Sequence, residues 1–64
     1  MAVSRYLFAV RYTHPDGSWV EEPVCVRAAT ELAARTEVEG ATVRYAAAVG
    51  ATKTITLRLT TADV

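Results

Sequence analysis

Cysteine occurs once in these 64 residues, as Cys25, so no disulfide can close within the chain. A chain this short buries only about 60% of its unfolded surface on folding, and small scaffolds usually need a disulfide, a metal, a partner or very regular packing. The lone thiol fits a reducing compartment. Histidine also occurs once, as His14, and no pair of candidate ligands has zinc-site spacing, so no metal or cofactor is expected. Long apolar runs are missing too. The longest, Leu7 to Val10 and Tyr45 to Val49, fall far short of the roughly 18 residues that span a membrane. Nothing in Met1 to Arg5 reads as a secretory leader, and a cytoplasmic location is the expectation. Seven basic and seven acidic residues cancel, so no overall field draws the chain to nucleic acid or lipid. Lysine occurs once against six arginines, with abundant alanine, a bias that suggests a GC-rich bacterial or phage gene.

What is present starts with His14-Pro15-Asp16-Gly17. Proline presets the second position of a type I turn, aspartate suits the third, and glycine supplies the left-handed residue of a bulge. That is a three-residue hairpin loop, and it fixes a register. Pairing His14 with Ser18 sets Tyr12 opposite Val20, Phe8 opposite Val24 and Tyr6 opposite Val26, all on one side of the ribbon. The other side pairs Arg11 with Glu21, Leu7 with Cys25 and Arg5 with Arg27. Pro23 falls opposite Ala9, where its missing N–H is tolerated if the second strand is a sheet edge.

Residues Ala28 to Glu39 favour helix, with Glu31 four positions before Arg35, and Gly40 reads as its C-terminal stop. Its apolar stripe is thin, with Ala29, Leu32 and Ala33 as main members and Val38 on the opposite side. Beyond it Val43, Tyr45, Ala47 and Val49 alternate, as do Ile55, Leu57 and Leu59, around a turn at Gly50-Ala51-Thr52-Lys53. Two further strands follow, although Tyr45-Ala46-Ala47-Ala48 would also suit a helix. The expectation is one α+β domain over residues 1–64. It is a small antiparallel sheet in β-β-α-β-β order, with one helix on one face and Thr60 to Val64 frayed.

Catalytic readings fail on geometry. Cys25, His14 and Asp16 are residue types that a cysteine nucleophile recruits. Yet Cys25 lies eight strand residues beyond the hairpin tip, on the order of 25 Å away. Glu21 and Glu22 are adjacent in a strand and point to opposite faces. Glu22 falls on the core face opposite Val10. It reads as a carboxylate reaching solvent at the sheet margin, a device that also discourages edge aggregation; the sharper reading is a site carboxylate with a raised pKa. Gly50-Ala51-Thr52-Lys53-Thr54 lacks the second glycine and the following helix of a phosphate loop. No enzyme is expected.

One constellation remains. With the apolar faces turned to the helix, Arg5, Leu7, Ala9, Arg11, Trp19, Glu21, Cys25, Arg27, Arg44, Arg58 and Thr54, Thr56 and Thr60 point away. Such a face can be merely solvated, can bind a protein, or can bind nucleic acid with Trp19 as a stacking platform. The expectation is a non-enzymatic interaction or assembly module. It would self-associate or bind a protein partner through its open sheet face or edge strand, using Arg5, Leu7, Arg11, Trp19, Arg44 and Arg58. The alternative is a nucleic-acid-binding protein using the same arginines. No small-molecule substrate or membrane partner is evident.

Overall fold

The hairpin loop behaves as its sequence dictates. Gly17 takes a left-handed φ of 90°, its N–H donates to the His14 carbonyl at 2.9 Å, and His14 N–H donates to the Ser18 carbonyl at 2.8 Å. In the computed structural model, which describes residues 2–63, the loop joins β1 (Val3–Thr13) to β2 (Trp19–Ala28). All the expected cross-strand pairs form, from Arg5 opposite Arg27 to Tyr12 opposite Val20. A helix, α1 (Glu31–Val49), and a third strand, β3 (Thr52–Asp63), complete a β-β-α-β chain. The sheet is antiparallel in the order β2-β1-β3. Pro23 therefore sits on an edge strand, as its missing donor requires.

The expected third strand does not exist; residues 42–49 belong to α1. Thr30 caps the helix start, its hydroxyl accepting from Ala33 N–H at 3.1 Å, which satisfies one of the orphan donors there. Gly50, not Gly40, ends it, with φ of 69° and its N–H turned back to the helix. Only a left-handed residue closes that motif, and Gly40 has no positive φ. The alternation of Val43, Tyr45, Ala47 and Val49 is thus no strand signal. A four-residue spacing, Ala34, Val38, Thr42 and Ala46, carries the buried side of the helix. This overturns the expected stripe: Val38 is fully buried, while Leu32 is 75% exposed. The small residues face inward, so the helix can lie close to the sheet.

The core is the helix-facing side of β1, namely Tyr6, Phe8, Val10 and Tyr12, under Ala34, Val38 and Ala46. Val24, Val26, Ile55 and Leu57 flank it, half-buried. Two cations tie α1 to β3. Arg35 donates to the Ile55 carbonyl at 3.0 Å with its guanidinium over the Phe8 ring at 5.4 Å. Lys53 Nζ reaches the Glu39 carbonyl at 2.8 Å, Thr42 Oγ1 at 2.9 Å and the Glu39 carboxylate at 3.0 Å.

A bulge in β3 changes which residues share a face. Phe8 pairs with Leu57 but Leu7 pairs with Leu59, leaving Arg58 as the extra residue. Beyond a bulge the alternation resumes one residue out of step. Leu59 therefore lies on the side away from the helix, 57% exposed, and Thr60, opposite Tyr6, shifts to the helix side. Both reverse the expectation from simple alternation. Pairing runs on to Asp63, so residues 60–63 are ladder; Val64 lies outside the described residues.

Candidate functional site

The face of the sheet opposite α1 has no second layer among the described residues. Strand alternation and the hairpin register place Arg5, Leu7, Ala9 and Arg11 of β1 there, beside Trp19, Glu21, Cys25 and Arg27 of β2. From β3 come Thr54, Thr56, Arg58 and Leu59. At its centre, Leu7 lines two shallow depressions. One, of about 190 Å³, is shared with Arg5, Cys25, Leu59 and Thr61. The other, of about 230 Å³, runs past Ala9 and Pro23 to Arg58. Ala9 is buried on this open side, and its small side chain between Pro23 and Thr56 leaves the floor low.

Charge frames this apolar strip. Glu21 holds two arginines: its Oε2 accepts from Arg11 Nε at 3.2 Å, and its Oε1 lies 3.7 Å from Arg58. The Arg11 guanidinium also sits 3.9 Å above the Trp19 ring. Four arginines face one glutamate on this side among the described side chains. Exposed ion pairs of this kind contribute little to stability.

Of the residues named from sequence, Arg5, Leu7, Arg11, Trp19 and Arg58 come together here. Arg44 does not. It lies on α1 and is exposed, because the segment assigned to a strand is helical. Leu59 was missed, since Ile55, Leu57 and Leu59 alternate without interruption and nothing local signals the bulge.

No known protein family, no curated protein and no solved structure matches the chain. The site must therefore be read from its own chemistry. Among the described residues no cluster of three or more His, Cys, Asp or Glu side chains could hold a metal, and no helix is long and apolar enough to cross a membrane. Cys25 is an exposed free thiol, paired in the ladder with Leu7 and far along the hairpin from His14. Lys53, the lysine of the loop-like Gly50–Thr54 segment, is bound to Glu39 and Thr42.

On the helix side, Glu22 stands opposite Val10 as the register requires. Its Oε1 accepts the Tyr12 hydroxyl at 3.2 Å. Burial, and then that bond to Glu22, push the Tyr12 phenol above its usual value of 10.0, so Tyr12 remains a donor at neutral pH. Tyr45 packs edge-on against Tyr12, centroids 4.8 Å apart.

Proposed function

We propose that the chain is a non-enzymatic interaction module that binds a different protein through its open sheet face. The occupant presents an apolar patch flanked by carboxylates. The observation that carries this reading is the strip of Leu7, Cys25 and Leu59, with Leu59 57% exposed, bordered by Arg5, Arg11, Arg27 and Arg58. Apolar anchors ringed by arginine are the composition of interface centres. Leu7 and Leu59 stand opposite each other at mid-sheet.

Both edges are blunted. β2 carries Pro23 and the inward Glu22, and β3 carries the bulge at Arg58 and has its Ile55 carbonyl occupied by Arg35. These are devices that discourage strand-to-strand addition, which favours the face over the edge strand. Charge argues against self-association by that face, since Arg11 and Arg58 outnumber the Glu21 they share and two copies would oppose like charge. The same charge favours an acidic partner, steering encounter as well as register.

The nucleic-acid reading rests on those arginines, but one side of its aromatic platform is already occupied. The Trp19 ring is covered on one side by Arg11, and Glu21 engages both Arg11 and Arg58.

The test is capture from the native host, nuclease-treated and untreated, with the wild-type chain, Leu59→Glu, Arg58→Glu and Val43→Glu. A protein retained by wild type and Val43→Glu, and lost from both sheet-face variants, supports the proposal. Loss of all captured material on nuclease treatment, or a homodimer in sedimentation that Leu59→Glu dissolves, would overturn it.

A further inference from the structure

A further cavity lies not on the open face but on the other side of the sheet. It is a groove of about 420 Å³ between β2 and the second half of α1. Its apolar walls are Val20 and Tyr45, each 50% exposed, and Tyr12, Glu21, Glu22, Val24, Ala41 and Thr42 complete the lining. Glu22 brings the charge. Tyr12 fixes one carboxylate oxygen from below. Among the described residues Glu22 forms no ion pair, whereas Glu21, Glu31 and Glu39 each do. No Lys, Arg or His lines the groove. Lys53 touches the lining residue Thr42 but is already held by Glu39.

We propose that this groove is a binding site for a small organic ammonium, with Glu22 as its counter-ion and Tyr45 and Val20 as its apolar walls. The chemistry is selective by elimination. An anion meets a carboxylate and no donor cation. A metal ion meets too few ligands, because Glu21, although it lines the groove, has its carboxylate engaged by Arg11 and Arg58. A neutral apolar molecule leaves the Glu22 carboxylate without a counter-ion and gains nothing from it. An alkylammonium satisfies the carboxylate, lays its methylenes or methyls on valine and tyrosine, and gains the attraction of a cation for an aromatic face. The volume is in the range of small-molecule sites. Tyr12, which lines the groove although almost wholly buried, orients Glu22 and backs Tyr45. The site is independent of the open sheet face and stands or falls separately from it.

An NMR titration of the labelled chain with choline, n-butylammonium and the neutral choline analogue 3,3-dimethylbutanol tests the inference. Expected are saturable shifts at Val20, Glu22 and Tyr45 with both cations in the millimolar range, and none with the neutral analogue. Glu22→Gln, which still accepts the Tyr12 hydroxyl, should weaken cation binding at least tenfold while melting like wild type. Tyr45→Leu, which keeps apolar bulk without the aromatic face, should weaken it several-fold. A trimethyllysine peptide run beside choline identifies whether the ammonium comes from a protein tail or a free amine, and binding of either at these residues supports the site. Equal binding by the neutral analogue, unchanged binding in Glu22→Gln, or no saturable shift with any of the cations would overturn it.

Discussion

Asp16 stabilises the hairpin tip through Ser18, whose hydroxyl donates to Oδ1 at 2.6 Å and whose N–H donates to the same oxygen at 2.9 Å. These bonds, the hydroxyl first, hold the carboxyl below its usual value of 3.8, since both favour the charged form. A folded-state pKa below the unfolded one stabilises the fold above 3.8. That contribution is lost as pH falls below 3.8 toward the lowered folded value. Urea unfolding followed down through this range should show a component of acid destabilisation in wild type that is absent in Asp16→Asn. Phe8 makes the contrasting case of a residue acting by volume. It is fully buried at the middle of β1, against α1 and under Arg35. Phe8→Ala should cost about 3–5 kcal/mol. A domain of this size has only about 3–10 kcal/mol in total, so the urea midpoint read by circular dichroism should fall steeply.

At the scale of the element, two glycines of α1 and its cap give opposite expectations for one substitution. A Cβ added at Gly40 or at Gly50 meets nothing within 4 Å, so backbone conformation alone decides. Gly40 lies inside the helix without a positive φ. Gly40→Ala should therefore stabilise by about 0.5–1 kcal/mol, as restricting the unfolded chain does. Gly50 holds a left-handed φ of 69°, where a Cβ costs about 1 kcal/mol or more, so Gly50→Ala should destabilise. Denaturant midpoints of the two variants should move to opposite sides of wild type. At the other end, Thr30→Ala removes the cap on Ala33 N–H and should cost about 1 kcal/mol.

The whole molecule is drawn out rather than round, 43 × 18 × 12 Å. Its radius of gyration of 12.8 Å exceeds the roughly 10.7 Å expected for this length. Its accessible surface of 4389 Å² is about a tenth above the roughly 4,000 Å² expected for its mass. Among the described residues three large side chains are fully buried, Phe8, Val10 and Val38, so little core supports this much surface. Leu59, Trp19, Leu32 and Val43 stay exposed. A partner that covers the sheet face should therefore raise the melting temperature by mass action. Leu59→Glu should leave the melting temperature of the free chain nearly unchanged, within about 0.5 kcal/mol, yet abolish the partner-induced rise. Thermal melts with and without the captured partner check both halves.

The amino-acid sequence alone determined the hairpin, its register and the two faces of β1 and β2. Those follow from neighbours in the chain: Pro15 and Gly17 restrict their own dihedrals, and alternation carries the consequence to Tyr6 and Arg5 without outside help. That is why Arg5, Leu7, Arg11 and Trp19 were legible as one surface, and Glu22 as a carboxylate on the core side. Tertiary structure decided the rest. Residues 41–49 carry both a two-residue and a four-residue apolar pattern, and packing of Val38, Thr42 and Ala46 on β1 selects the helix, taking Arg44 off the sheet. The bulge at Arg58 arises where β3 meets β1, a contact some fifty residues apart in the chain. Only that contact turns Leu59 outward to complete the apolar strip, because a register shift is a property of two strands and is not encoded in either one by itself.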